Sequence, residues 1–261
     1  MKEKAILGVI IAIVLATTIG ITPILLQSQT QGYKWNAPLV QVATSGNKVY
    51  VVWDSNKTSP LKEILFRAST DNGKSFSDKI NLSHSPKGFS ELANIAASGN
   101  EVYVVWGDNK TGNTEIYFTK STDDGKTFGN PIQLNSTGTG PHKTIIKMYM
   151  TGYFELVRTL VATSGKNVYV TWWDNKTGNW DIMFARSNDG GKTFQKTVNL
   201  SNSPNELSEK VAMAVNGNNL YFAWWETAKN GTIGPVFRAS HDNGTTFDPV
   251  LRLSANGTIG G

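Results

Sequence analysis

Ser69-Thr70-Asp71-Asn72-Gly73-Lys74-Ser75-Phe76 is the first of four copies of one hairpin motif in this chain of 261 residues. The other copies begin at Ser121, Ser187 and Ser240, so consecutive starts are 52, 66 and 53 residues apart. A serine, an aspartate, a glycine and a phenylalanine recur in every copy. They are Ser69, Asp71, Gly73, Phe76, Ser121, Asp123, Gly125, Phe128, Ser187, Asp189, Gly191, Phe194, Ser240, Asp242, Gly244 and Phe247. A regular period of this length is typical of a repeat architecture.

A tryptophan that ends an apolar strand recurs in step with the hairpin motif. The four are Trp53, Trp106, Trp172 and Trp224, which are 53, 66 and 52 residues apart. The strand before each tryptophan is too continuously apolar to have one face in water. Each repeat contains four short strands joined by turns, and the strand with the tryptophan is one of them. Four antiparallel strands per repeat is the pattern of a β-propeller blade. We therefore predict an all-β, propeller-like array of four four-stranded antiparallel blades, at about residues 40–83, 93–136, 160–202 and 210–256.

The residue types of the hairpin motif indicate a structural role. The aspartate can accept hydrogen bonds from backbone N–H groups of its own turn. The glycine supplies a positive φ that a side chain would penalise. The hydroxyl of the following threonine or serine holds the far side of the turn, and we expect the phenylalanine to fill the space between adjacent sheets.

The motif resembles the Asp-box, or BNR repeat, of the sialidase-like β-propellers. The resemblance covers residues from about 40 to 260, and the four copies are in phase. In that family the Asp-boxes lie at the blade periphery, away from the catalytic centre. The resemblance therefore implies a fold and says little about chemistry.

Two features depart from a regular family propeller. The segment between the second and third repeats is 14 residues longer than the other joins, and the extra residues fall within 138–160. This insertion is either a functional loop or small helix, or a tolerated insertion. Sialidases resemble six-bladed propellers, so four blades would make a closed ring, an open arc, or part of a ring that another chain completes. Open blade edges would be sites of self-association.

The N-terminal segment predicts export. Residues 5–26 are uncharged and follow two lysines; as a helix they would span roughly 30 Å of hydrocarbon. Residues 1–32 are thus a signal anchor or a cleaved signal peptide with a short linker, and residues 33–261 are the propeller domain. The chain is expected at the cell membrane, single-pass with an extracellular C-terminal domain, or secreted if the segment is cleaved.

Composition restricts the function classes further. The formal net charge is +5 and no lysine or arginine run alternates with aromatic residues, so nucleic acid is not an expected partner. The chain has no cysteine, which excludes disulfides, thiolate nucleophiles and cysteine-ligated zinc. The histidines, His84, His142 and His241, have no metal-ligand spacing. Asp174, Asn179 and Asp181 faintly resemble a calcium loop but fit a tight turn better. No cofactor or metal is expected.

The resemblance also implies a catalytic set that can be sought in the sequence. Family sialidases hold the substrate carboxylate with three arginines and use a tyrosine–glutamate nucleophile with an aspartate as acid/base. Of the five arginines here, Arg67, Arg186 and Arg238 lie just before hairpin motifs, which leaves only Arg158 and Arg252 outside the repeat.

Two arginines cannot make the three-arginine clamp, and the tyrosines and carboxylates do not supply the rest of the catalytic set. Tyr50, Tyr103, Tyr169 and Tyr221 recur in the core strand, and Glu63, Glu115 and Asp181 begin third strands. The carboxylates outside the repeat are Glu91, Glu155, Glu206, Glu209 and Glu226, and the sequence arranges none of them in pairs. No catalytic residue is therefore assigned.

Glycosylation is a more concrete expectation. Asn-x-Ser/Thr acceptors occur in turns of the exported part. The candidate sites are Asn56, Asn81, Asn109, Asn135, Asn175, Asn199, Asn230, Asn243 and Asn256.

Three functions remain open at this stage. The favoured one is an extracellular, non-catalytic module that binds a glycan or protein ligand, or serves as a surface scaffold. The alternatives are an exo-acting glycoside hydrolase of sialidase type and a structural component of the cell envelope.

Overall fold

The computed structural model describes residues 40–55, 62–111, 114–135 and 159–254. In these ranges sixteen strands form four four-stranded antiparallel sheets, each with its strands in chain order. The predicted all-β array of four four-stranded sheets is confirmed. The predicted N-terminal hydrophobic helix lies outside the described residues.

The strand bounds follow the repeat. The first sheet contains β1 (Val40–Ser45), β2 (Lys48–Asp54), β3 (Ile64–Ser69) and β4 (Ile80–Asn81). The second contains β5 (Ser90–Ser98), β6 (Glu101–Asp108), β7 (Glu115–Ser121) and β8 (Ile132–Gln133). The third contains β9 (Leu160–Ser164), β10 (Asn167–Asp174), β11 (Asp181–Ser187) and β12 (Val198–Asn199). The fourth contains β13 (Glu206–Asn216), β14 (Asn219–Ala228), β15 (Ile233–Ser240) and β16 (Leu251–Arg252).

Each sheet packs on the next one, and a separate apolar core fills each junction. Tyr50 and Phe66 of the first sheet meet Trp106 of the second in one cluster of buried side chains. Corresponding clusters lie between the second and third sheets and between the third and fourth. Strands β6 and β10 are buried on both faces because each lies between two sheets. This explains why these two strands, which contain Trp106 and Trp172, are apolar on both faces.

The hairpin motif is a closed network of short hydrogen bonds. In the second sheet, the Ser121 hydroxyl donates to the Asp123 carboxylate at 2.7 Å and accepts from the Gly125 amide at 2.9 Å. The Thr127 amide and hydroxyl donate to the two oxygens of Asp123 at 2.9 and 2.7 Å. The other three copies repeat these bonds. The turn is therefore held by its own side chains.

These bonds keep the motif's carboxylates ionised. Hydrogen bonds from the hydroxyl and amide of Ser75 lower the pKa of Asp71 to about 2, and those from Thr127 lower the pKa of Asp123 to about 2. A lowered pKa stabilises the fold above the ordinary aspartate range, and the contribution is lost as the pH falls through about 2.

The glycine of each motif makes room for the sheet before it. A Cβ on Gly125, whose φ is +77°, would lie 2.6 Å from the ring of Phe66. Phe128 packs edge-on against the same ring, with 4.8 Å between centroids. Gly191 and Gly244 bear the same relation to the preceding sheets, as described below. The phenylalanine of the motif thus fills the junction between sheets, as expected, in these three copies.

Two strands are longer than the repeat implies. Strands β5 and β13 begin at Ser90 and Glu206, and each contains a bulge where a residue without glycine's freedom adopts a positive φ: +60° at Leu92 and +59° at Lys210. The insertion at 138–160 is described only at its end, where the Thr159 hydroxyl donates to the carbonyl of Leu92 at 3.0 Å.

Within the described ranges no helix has the length and apolar character needed to span a bilayer. The segment at 5–26, on which the prediction of an anchor rests, is not among them.

Replacing Gly125 by alanine tests the close contact with Phe66. We expect Gly125→Ala to lower the free energy of unfolding by about 1 kcal/mol for the positive φ and by a further ~1–3 kcal/mol for the clash with the ring. Gly46→Ala is the matched control, because Gly46 has a φ of +61° and nothing within 4 Å of its Cβ position. Denaturant unfolding measures both changes. Equal losses in the two variants would mean that the contact with Phe66 contributes nothing.

Candidate functional site

Buried carboxylates collect at one end of the sheets, where second strands end and third strands begin. We call this set the polar rim. It comprises Asp54, Glu63, Asp108, Glu115, Asp174, Asp181 and Glu226, all of which are buried. A buried carboxylate is stable only when it is paired or hydrogen-bonded, so the partners of each one decide whether it can serve a function.

Between the first and second sheets the polar rim is a cross-junction network. Glu63 accepts hydrogen bonds from the Ser83 hydroxyl and from the amide of Ser85, the latter at 3.0 Å. The Ser85 hydroxyl donates in turn to Asp108 at 3.1 Å, and Ser90 donates to the other oxygen of Asp108 at 2.9 Å. These carboxylates link two sheets, which is a structural role.

Between the second and third sheets a lysine makes the link. The ammonium group of Lys176 lies 3.4 Å from Glu115 and also donates to the carbonyl of Asn135. Gln133 donates to the same oxygen of Glu115 at 2.7 Å. The lysine and its carboxylate are both buried, so this pair fixes the relative position of the two sheets.

The turn that faintly resembles a calcium loop is held by protein groups. Asp181 accepts from the hydroxyls of Ser201 at 2.8 Å and Thr177 at 2.5 Å. Asn179 directs its amide donors at the carbonyls of Ser203 and Glu206, and Asp174 accepts from the indole of Trp172 at 3.1 Å. Over the ranges that the structure describes, no group of three or more acidic or histidine side chains is arranged to hold a metal ion.

The fourth sheet differs, because two carboxylates meet there beside an arginine. Arg252 lies 2.6 Å from Glu206 and 3.1 Å from Glu226. Glu226 is only 3% exposed, and it also accepts from the indole of Trp224 at 3.3 Å. We call Glu206, Glu226 and Arg252 the carboxylate pair with its arginine. Sequence reasoning named all three residues but did not bring them together.

The two carboxylates have opposite pKa shifts. Burial, and then the neighbouring Glu206, raise the pKa of Glu226. A hydrogen bond from Glu226 and another from Arg252 lower the pKa of Glu206. The pair therefore favours a proton on Glu226 and a charge on Glu206. Two carboxyl groups that bond directly to each other leave no room for a glycosidic bond between them.

The repeated arginines serve the junctions between sheets. Arg186 donates to the carbonyl of Asn243 at 3.2 Å and to the hydroxyl of Thr245 at 2.8 Å, both in the hairpin motif of the next sheet. Arg238 donates to the carbonyl of Leu200, in the preceding sheet, at 2.6 Å. Arg67 is exposed on the first sheet.

The basic residues just before the hairpin motifs do not all occupy the same position. Arg67 and Arg238 lie two residues before the motif's serine, whereas Arg186 and Lys120 lie one residue before it. Because side chains alternate along a strand, the two pairs project from opposite faces of their sheets. Arg158 lies outside the described residues.

The core tyrosines are placed for packing. Tyr50, Tyr103 and Tyr169 are fully buried between sheets. Burial is the main cause that raises the pKa of Tyr50 to about 12, and it raises the pKa of Tyr103 as well. A hydroxyl of raised pKa at a sheet junction is poorly suited to act as a nucleophile. Tyr221 occupies the same position in the fourth sheet, where no further described sheet covers it.

A small cleft opens beside the second sheet. It encloses about 10 Å³, which is about the space that one water molecule needs, and its described lining includes Phe89, Glu91, Leu92, Asn109, Thr114 and Ile116. Asn109 is held in place because its side-chain oxygen accepts from the Phe89 amide at 2.7 Å. The Lys62 ammonium lies 4.8 Å from the centre of the Phe89 ring. The mouth of the cleft combines an aromatic ring with amide, hydroxyl and charged groups, but the enclosed space is too small to bury a ligand.

The candidate glycosylation sites differ in accessibility. Asn230 is exposed in a turn, whereas Asn135 is 4% exposed and accepts a hydrogen bond from the Ile116 amide at 2.8 Å. The others that the structure describes are half-buried: Asn81, Asn109, Asn175, Asn199 and Asn243. Asn56 and Asn256 lie outside the described residues. A glycan at Asn230 would displace no packing, which makes this site the best candidate.

The two histidines that the structure describes, His84 and His241, lie beside different sheets. His84 is exposed. His241 contacts Asn219 at 2.8 Å and Asp248 at 3.2 Å on the surface of the fourth sheet. His142 and Glu155 are not among the described residues.

Comparison with known proteins identifies the fold. No protein-family model and no curated protein sequence matches the chain. Among solved structures, an unknown function protein from Dyadobacter fermentans is similar over 83% of this chain and 68% of its own, with a TM-score of 0.59 and 13% identity.

Two sialidases are similar as well. The K499G mutant of NanB sialidase from Streptococcus pneumoniae matches 84% of this chain with a TM-score of 0.54 and 10% identity. The sialidase of Trypanosoma rangeli, in complex with sialic acid, matches 82% with a TM-score of 0.52 and 13% identity. The chain spans 52% and 37% of these two proteins. The likeness shows a sialidase-like β-propeller fold.

Substitutions in the carboxylate pair test the opposite pKa shifts. Glu226→Gln removes a charge that the folded state penalises, so we expect it to raise the melting temperature at pH 7. The gain should shrink as the pH falls below about 4, where Glu226 is protonated in the unfolded chain too. Glu206→Gln is the matched comparison. It removes the charge that Arg252 stabilises, so it should lower the melting temperature at pH 7. Shifts of the same sign in both variants would contradict the assignment.

Proposed function

We propose that the chain is an extracellular, non-catalytic propeller module that binds a glycan or protein ligand. The observation that carries this proposal is the use of the family's catalytic residue types as structural groups. Arg186 and Arg238 bond across junctions between sheets, and Tyr50, Tyr103 and Tyr169 are buried within them. The tyrosines cannot turn towards a sugar without opening a core, and the arginines would lose their bonds across the junctions.

The cleft beside Phe89 is the proposed ligand site. An aromatic face packs against the apolar face of a sugar ring or against a peptide side chain, and the neighbouring amide and hydroxyl groups orient the ligand. Glu91 and Thr114 supply polar atoms in the same lining. The enclosed space is no larger than about one water molecule, so we expect one sugar residue or one side chain of a larger ligand to lie across the mouth of the cleft and not inside it.

The location belongs to the same proposal. Residues 5–26 would anchor the chain in the membrane, or direct its secretion if they are cleaved, and Asn230 would carry a glycan in a host that glycosylates its surface proteins.

A sialidase-type hydrolase is the second candidate, favoured by the likeness to two sialidases and by the raised pKa of Glu226. A raised carboxyl pKa is what a general acid needs. Against this candidate, Glu226 bonds to Glu206 and Arg252 in place of facing an open sugar site. The third candidate, a structural envelope component, depends on how copies of the chain associate.

A fluorogenic sialoside assay on the full chain distinguishes a non-catalytic binding module from a sialidase-type hydrolase. We expect no turnover above that of heat-denatured protein. Turnover by the intact chain that Glu226→Gln abolishes would overturn the non-catalytic proposal and establish the hydrolase.

Binding to an immobilised glycan array tests the cleft. For any glycan on the array that binds the full chain, we expect Phe89→Ala to weaken the binding about three- to tenfold. The reason is that an aromatic contact contributes about 0.5–1.5 kcal/mol. Val198→Asp is the control, since Val198 is exposed on β12 away from the cleft. Equal binding by wild type and Phe89→Ala, with both folded, would exclude this cleft as the site.

A further inference from the structure

The three junctions between sheets follow one rule. We call the face of a sheet that carries the tyrosine of its second strand the front face, and the face that carries the tryptophan the back face. The front face with Tyr50 packs on the back face with Trp106, and the front face with Tyr103 packs on the back face with Trp172. The third junction, between the sheets of Tyr169 and Trp224, is the same. Every junction is therefore front on back.

The rule leaves one face of each kind exposed, at the two ends of the row. On the back face of the first sheet, Val42 is 57% exposed, whereas Val161, at the same place in the third sheet, is 7% exposed. On the front side of the fourth sheet, Leu253 is 55% exposed, whereas the corresponding Leu200 is fully buried. None of the four sheets that the structure describes covers either end.

The two ends carry the two halves of an aromatic contact. Gly125, Gly191 and Gly244 each lie against a phenylalanine of the preceding sheet, with 2.6–2.8 Å between the Cβ position and the ring. At Gly73 the nearest described atom is 3.9 Å away, on Val49 of the same sheet. The motif's phenylalanine there, Phe76, is 41% exposed.

The fourth phenylalanine of the series is at the other end. Phe237 stands three residues before the motif's serine, as Phe66, Phe118 and Phe184 do. It stacks on Tyr221 with 6.3 Å between centroids and 22° between planes, and the buried pair Tyr50–Phe66 has 6.3 Å and 20°. The front face of the fourth sheet is therefore already arranged as it is inside a junction.

Polar groups at the ends match in the same way. At the third junction the side-chain oxygen of Asn243 accepts from the Tyr169 hydroxyl and the Asn167 amide, both at 3.1 Å. Tyr221 and Asn219 hold the corresponding positions in the fourth sheet, and Asn72 holds that of Asn243 in the first.

An arginine completes the match. Arg238 donates to the carbonyl of Leu200 across the third junction at 2.6 Å. Arg67, exposed on the first sheet, corresponds to Arg238, and Leu253 of the fourth sheet corresponds to Leu200.

We propose that the front face of the fourth sheet of one copy packs on the back face of the first sheet of a second copy. The contact joins two different surfaces, so it is a head-to-tail interface and can be repeated from copy to copy. It uses faces and not strand edges, and it places Phe237 of one copy against Gly73 and Phe76 of the next. The proposal stands whether the protein binds a ligand or hydrolyses one.

Engineered cysteines test the interface directly, because the chain has no cysteine of its own. Across the second junction, the side-chain oxygen of Asn94 accepts from the amide of Val161 at 3.1 Å. The corresponding residues at the ends are Ala212 and Val42, both exposed. Full-length Ala212→Cys and Val42→Cys chains with different tags are mixed in a mild detergent and treated with a short bismaleimide. We expect a crosslinked dimer that carries both tags.

Each single variant treated alone is the control. It should give no crosslinked dimer, because in a head-to-tail contact two cysteines at the same position do not meet. Absence of the mixed dimer would overturn the proposal, and so would dimers of one variant with itself in equal yield. A double variant that crosslinks only within one chain would show instead that the four sheets close on themselves.

Light scattering in the same detergent gives an independent readout. The wild-type chain should have a mass above that of one copy, rising with concentration, and Phe76→Asp should reduce it to one copy. Val198→Asp, on an exposed surface away from both ends, should leave the mass unchanged. A wild-type mass of one copy at all concentrations, or an equal effect of both substitutions, would overturn the proposal.

Discussion

The contact between a phenylalanine of one sheet and the glycine of the next hairpin motif determines how the sheets assemble. Phe66 occupies the space that a side chain at residue 125 would take, and the edge-on ring of Phe128 closes the contact. The hydrogen bonds around Asp123 hold the turn in the shape that presents this glycine. The hydrogen bonds of the turn and the packing between sheets therefore depend on each other at each of the three junctions.

The polar rim complements this apolar contact. At the junctions that Glu63 and Glu115 serve, buried carboxylates are bonded to groups of the next sheet, so their burial is compensated. In the fourth sheet a rim carboxylate, Glu226, pairs with a second carboxylate, Glu206. An exposed arginine there bonds to both carboxylates. The pKa of Glu226 is nevertheless raised, because burial and the neighbouring Glu206 outweigh the opposing effect of Arg252.

Most of the fold could be predicted from the sequence, because the hairpin motif and the tryptophans report one period independently. The long strands β5 and β13 could not, since their bulges place Leu92 and Lys210 at a positive φ that neither residue type signals. The meeting of Glu206, Glu226 and Arg252 was also beyond sequence reasoning. It depends on β13 starting early and on the alignment of four strands, β13 to β16, whereas these residues are 20 and 26 positions apart along the chain. The repeat pattern could not predict the position of the functional site, because a residue that recurs in every repeat usually has a role in packing.

Because every junction packs a front face on a back face, the number of sheets in such a chain can change during evolution. A row of units that contact only their neighbours behaves as a one-dimensional array, whose stability is close to a sum of unit and junction contributions. Duplicating or deleting one sheet then creates no new kind of contact, so the number of sheets can vary while every surviving junction stays intact. Within one chain, the first and last sheets should unfold before the inner ones, because an end sheet packs on one neighbour and an inner sheet packs on two.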